Sequence, residues 1–226
     1  MSRLDHQYRE ATGLVERRFY SIFYSQVDPS PLLIIGFNPG GDPDSWDESA
    51  LASRSFYENG EHEYVDCHYP IAVAMREFLL KIGSINSEDL LRRIPKTNLI
   101  FRRSRSMDGL RLSERDAILE AKPMLDQIIE RVVPRVVICE GVSTLQHFEK
   151  HYCESIEEEI DGVSVSTPNG QHKARIYKAD KAVLSSIQQP VTILGIGHPS
   201  KYSGRLEWSQ VIASAKKLLA AAPSVY

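Results

Sequence analysis

The stretch Leu32-Leu-Ile-Ile-Gly-Phe-Asn-Pro-Gly-Gly41 limits what this chain can fold into more than any other. Leu32 to Ile35 are apolar with no polar alternation. That pattern reads as a short strand buried on both faces, as in a parallel sheet covered by helices. Gly36-Phe-Asn-Pro-Gly40 then breaks the strand. The glycines permit backbone angles closed to other residues, and Pro39 stiffens the loop. A sharp loop at the carboxyl end of a buried strand lies where open α/β sheets bind ligands. In that loop Asn38 is the side chain that can both donate and accept hydrogen bonds. It is either a functional group or the cap of a turn.

The rest of the chain alternates helix and strand patterns. Leu4, Tyr8, Ala11, Val15, Phe19 and Ile22 fall at helical spacing, so an amphipathic helix is expected over 4–24. Asp42, Asp44, Asp47 and Glu48 read as a solvated loop or helix start. Ser53 stands where an EF-hand would need its glutamate. Residues 54–69 are aromatic and without period, which suggests a functional loop. Pro70 opens a helix that Gly83 closes. Thr97–Phe101 reads as a second central strand, running into the basic patch Arg102-Arg-Ser-Arg105. Ser113-Glu-Arg-Asp116 is a capping box for a helix through Ile129. Arg135–Cys139 is a strand, and Ser143 is expected to cap a helix reaching His151. Val163–Thr167 and Ala174–Tyr177 flank a turn signal and read as a β-hairpin. Val191–Ile196 is the last buried strand, and a closing helix begins near Leu206.

Composition excludes several classes. The 226 residues suffice for one large domain, expected to span 1–226. A net charge of −3 gives no global positive field, so any nucleic-acid surface must be a local patch. Cys67, Cys139 and Cys153 form no CxxC pair, which speaks against a metal site or iron–sulfur cluster. No metal or cofactor is expected. No apolar run approaches the ~20 residues that span a bilayer. Few cysteines and no signal peptide point to the cytoplasm. Gly141-Val-Ser-Thr-Leu145 lacks the second glycine of a nucleophile elbow, so a serine hydrolase is rejected.

The order of elements predicts an α/β fold: a three-layer αβα sandwich around a mainly parallel four-stranded sheet, with an inserted β-hairpin. Asn38, Asn98 with its downstream arginines, and His198 all stand at strand ends, which such a sheet brings to one crevice. In these residues the chain resembles the uracil-DNA glycosylase superfamily. Gly36-Phe-Asn-Pro-Gly40 is similar to the first motif in its asparagine form. Thr97-Asn98 resembles the segment carrying the base-reading asparagine. The helix and strand through Val136–Ile138, then Glu140-Gly-Val, look like the family's central pair. Gly197-His-Pro-Ser200 resembles the second motif. Lys201 and Tyr202 depart from the small and apolar residues usual there.

The resemblance implies roles. Asn38 would orient the water that attacks C1′, and His198 would stabilise charge on the departing base. Gly36, Phe37, Phe56 and Asn98 would form the base pocket, with Tyr57 a second choice for the stacking ring. Arg102, Arg103, Arg105, Ser200 and Lys201 would meet phosphates, and Tyr202 would fill the gap left by a flipped nucleotide. The expected function is excision of uracil or a related deaminated base from single-stranded or mismatched DNA by a monomer. Two other readings stay open. One is a non-catalytic nucleic-acid or nucleotide-binding module on the same fold. The other is a small-molecule α/β enzyme.

Overall fold

A computed structural model describes residues 2–41, 43–45, 56–82, 87–105, 109–156, 158–160, 164–166, 173–175, 177–199 and 206–220. Its frame is set by four strands: β1 (Leu32–Gly36), β2 (Lys96–Asn98), β3 (Val136–Glu140) and, numbered ninth in chain order, β9 (Pro190–Ile196). They pair in parallel in the order β2-β1-β3-β9. Every residue of β1 and β3 is buried, as their unbroken apolar runs require. Successive side chains alternate between faces. Leu33 and Ile35 join a core with Tyr8, Leu125, Ile128 and Phe148. Leu32 and Ile34 join a second core with Phe78, Leu79, Leu91 and Trp208.

Helices supply those partners on both faces. On the first lie α1 (Ser2–Thr12), α5 (Glu114–Val132) and α6 (Val142–Tyr152). On the second lie α2 (Glu63–Asp66), α3 (Pro70–Ile82), α4 (Glu88–Arg92) and α7 (Leu206–Ala220). Ser113 caps α5 as expected, its hydroxyl accepting from Asp116 N–H at 3.1 Å.

The structure corrects several expectations. The sheet is mixed and, among the described residues, has seven strands rather than four. β8 (Tyr177–Leu184) runs antiparallel beside β9, and β4 (Cys153–Ser155) and β5 (Glu158–Ile160) both pair with β8. β8 was hidden because its stretch Lys178-Ala-Asp-Lys181 reads as a solvated hairpin tail. The expected hairpin is present as β6 (Ser164–Ser166) against β7 (Lys173–Arg175), with Val165 opposite Ala174. Its turn lies outside the described residues.

The first helix stops at Thr12 rather than continuing to 24. Gly13, at φ +70°, ends it with a bond to Arg9 O. Residues 20–24 are instead held extended along the outer edge of β2: Ser21 N–H bonds Phe101 O, and Tyr24 N–H bonds Lys96 O. Tyr20, Ile22 and Tyr24 are buried at a period of two, while Val15 is 69 % exposed. β2 is therefore the outermost of the parallel strands, not central. Ser143 sits inside α6, whose N-cap is Gly141.

Candidate active-site pocket

The four parallel strands end side by side. Gly36 is in register with Asn98, and Glu140 with Ile196. Above these carboxyl ends opens a cavity of about 590 Å³ lined by Asn38, Asn98, Glu140 and His198, among others. Each parallel strand thus contributes a polar group: Asn98 closes β2, Asn38 follows β1, Glu140 closes β3 and His198 follows β9. The predicted convergence of Asn38, Asn98 and His198 on one cavity is found.

Asn38 is half-buried and its orientation is set by neighbours. Its amide nitrogen donates to Ser104 Oγ at 2.9 Å and to Pro39 O at 3.1 Å. Ser104 N–H in turn bonds Pro39 O, tying the loop after β1 to the segment after β2. With both amide protons engaged, the carbonyl oxygen of Asn38 is the end left to accept from a water or ligand.

Asn98 is buried and lies over Gly36. A Cβ on Gly36 would overlap Asn98 Oδ1 and stand 3.1 Å from Glu140 Oε2. The missing side chain at Gly36 is what leaves room for both groups. This glycine is needed for close approach rather than for turn geometry.

Beneath them lies a buried ionic cluster. Lys96 points to the same face of β2 as Asn98, two positions on. Its ammonium pairs with Glu63 and lies 4.0 Å from Glu140 Oε2. It also sits over the rings of Tyr24 (4.4 Å) and Tyr64 (4.9 Å). Tyr64 donates its hydroxyl to Glu140 Oε1, and Tyr69 donates to Glu63. Burial pushes the Glu140 carboxyl above its ordinary value, with Lys96 and the Tyr64 hydroxyl opposing. Burial also disfavours the Lys96 ammonium, but Glu63 and Glu140 more than reverse this and hold it charged.

Phe56 lines the cavity, buried and stacked on Tyr24 at 5.9 Å between centroids. Tyr57 packs instead on Phe23. Phe37 lines the cavity with its ring edge-on to His147. His198 is exposed, at the cavity's solvent side.

The basic patch divides. Arg103 and Arg105 line the cavity. Arg103 is buried and donates to Gly40 O at 3.0 Å and Arg17 O at 3.2 Å, so it also braces the loop after β1. Arg105 is exposed. Arg102 faces away: its fork is committed to Glu120 of α5 at 2.7–3.1 Å, and Tyr8 shares that carboxylate. Phosphate contact was expected of all three; the fork of Arg102 is already occupied. Ser200, Lys201 and Tyr202 lie outside the described residues.

Sequence reasoning missed Lys96, Glu63, Tyr64 and Glu140. Once the strands are placed, two features bring out Lys96 and Glu140. Lys96 shares a strand face with Asn98, and Glu140 is the single charge ending an apolar strand. Chemically, the cavity offers acceptor and donor groups at its base and aromatic walls at its side. An imidazole and an arginine stand toward solvent. Comparison with protein-family models and with curated protein sequences finds no match for this chain, so no family is assigned to it on that ground.

Proposed function

We propose that this protein is a DNA N-glycosylase that takes a flipped, deaminated base such as uracil into the cavity and hydrolyses its glycosidic bond. The observation that carries the reading is the convergence of Asn38, Asn98 and His198, from three distant segments, on one cavity at the sheet's carboxyl edge. Its volume of about 590 Å³ suits a small ligand rather than a protein surface. Arg105, exposed at the same cavity, favours a phosphate-bearing substrate over a free base.

In this reading Phe56, backed by Tyr24, provides the wall on which the extruded base stacks. Extrusion costs a few kcal/mol, least for an unpaired or mispaired base. Asn98 meets the Watson–Crick edge. As the C1′–N bond breaks, negative charge grows on the base, and His198 donates to its O2. The Asn38 carbonyl oxygen accepts from the attacking water and aims it at C1′. An amide is not a base near pH 7, so Asn38 contributes orientation rather than proton transfer, and a slow enzyme follows.

The amide at position 38 also favours a second reading, base binding without cleavage. The two separate in one assay. A labelled oligonucleotide with one uracil, single-stranded or opposite guanine, is incubated at micromolar protein for hours. Abasic product supports the glycosylase. Tight, salt-dependent binding without product selects the binding module.

A further inference from the structure

The mechanism above makes no use of Glu140. This carboxylate ends β3 inside the cavity, and Tyr64 holds its Oε1. Its Oε2 leans over Gly36 beside Asn98, 4.0 Å from a Lys96 ammonium that Glu63 already engages. Among the described residues no hydrogen bond reaches Oε2. Asn98 Oδ1 is turned toward Gly36, which leaves the amide nitrogen as the group Asn98 can offer a ligand.

Strand order fixes the sequence of these groups along the pocket. Across the sheet β9, β3, β1 and β2 follow one another and carry His198, Glu140, Gly36 and Asn98. The edge of a pyrimidine presents O2, N3 and the 4-substituent in line. With His198 at O2, Glu140 faces N3 and Asn98 faces the 4-position. An ionised carboxylate only accepts, so it calls for a proton on N3. The Asn98 amide nitrogen donates, so it calls for a carbonyl at the 4-position. Uracil satisfies both. Cytosine sets a lone pair against the carboxylate and an amino group against an amide donor, and both contacts repel.

We infer that Glu140 is a specificity-determining residue: its Oε2 accepts the imino N–H of a lactam-type base while Asn98 donates to the adjacent carbonyl, across the seat left open by Gly36. The inference rests on the glycosylase reading for the placement of His198 at O2. It goes beyond that reading by dividing the recognition of one base edge between two residues on different strands.

The test uses single-stranded oligonucleotides that differ at one position: uracil, cytosine or N3-methyluracil. Binding is followed by fluorescence anisotropy and excision by strand cleavage after alkali. The wild-type protein should prefer uracil over both others by at least tenfold, since each lacks the N3 proton. Glu140→Gln, whose amide can turn to donate, should reduce the uracil-over-cytosine ratio at least tenfold. It should keep a cooperative melt, because Lys96 retains Glu63. An unchanged ratio in folded Glu140→Gln overturns the inference, as does equal recognition of uracil and N3-methyluracil by the wild type, a result that needs no variant to fold. Both leave the glycosylase reading standing. If the wild-type protein neither binds nor cuts uracil better than cytosine, the glycosylase reading fails and this inference with it.

Discussion

The side chains of Asn98 and Glu140, 42 positions apart in sequence, both reach the space that a side chain on Gly36 would fill, at the carboxyl edge of the parallel strands. A Cβ at position 36 would have to displace the end of the Asn98 side chain, which lies in the cavity. Gly36→Ala should therefore cost about 1–3 kcal/mol of stability. Its larger effect should be on ligand binding, because Asn98 must swing out of place. Anisotropy titration beside a denaturant melt separates the two. Wild-type affinity in a folded Gly36→Ala protein would mean that Asn98 does not read the ligand.

Lys96 is the cation that makes the buried carboxylates tolerable. Lys96→Met keeps the apolar stem between Tyr24 and Tyr64 but leaves Glu63 and Glu140 without a counter-charge. Breaking a buried pair this way costs about 3–5 kcal/mol. The deficit should shrink as pH falls from 8 to 5, because the orphaned carboxylates can then take up protons. Urea unfolding of both proteins at the two pH values measures it.

His62 gives the fold an acid-sensitive point. Its Nδ1 accepts from Tyr64 N–H at 3.0 Å, so Nε2 carries the proton and donates to Ile94 O at 2.9 Å. Burial pushes the imidazole down from 6.5 to about 4, Lys96 adding to this while the Ile94 carbonyl and Asp66 oppose. Between those values the unfolded chain binds more protons than the folded one. The stabilisation is thus complete above pH 6.5 and is lost as pH falls toward 4. The loss amounts to about 3 kcal/mol. Protonation would also remove the cap of α2, which carries Glu63 and Tyr64 to the cavity. His62→Gln should flatten the pH dependence of the thermal midpoint between pH 4 and 6.5.

The arginines after β2 should behave differently on substitution. Arg102→Ala strands Glu120 and Tyr8, so it should lower stability without changing the salt dependence of oligonucleotide binding. Arg105→Ala should leave the melt unchanged and reduce the slope of log affinity against log salt by about one phosphate contact. Anisotropy titrations between 50 and 200 mM salt read the slope directly.

The strands β1, β3 and β9 and the placing of Asn38 and His198 were legible in sequence because buried strands leave unbroken apolar runs; the strand expected over Thr97–Phe101 is instead Lys96–Asn98, so its apolar run follows Asn98 rather than leading to it. A polar residue at the end of such a run stands out. The ionic cluster was not legible: Lys96 and Glu140 look like ordinary solvated charges until β2, β1 and β3 are set side by side. Glu63 and Tyr64 come from the short helix α2, whose partner strand begins some 30 residues later, a distance no local pattern spans. The first helix was overextended because Tyr20, Ile22 and Tyr24, buried at a period of two, follow a run whose spacing also fits a helix. Only the bonds to β2 decide between them. Arg102 was misjudged for a related reason, since its partner Glu120 belongs to a separate helix.

Every residue role proposed above depends on the cavity breaking a glycosidic bond. Free base released from a uracil-containing oligonucleotide can be quantified by mass spectrometry under single-turnover conditions, for the wild-type protein, Asn38→Ala and His198→Ala. Free uracil is expected from the wild type, with release at least a hundredfold slower in each variant while both keep a cooperative melt. No released uracil from the wild type, or release unaffected by either substitution, would contradict these roles.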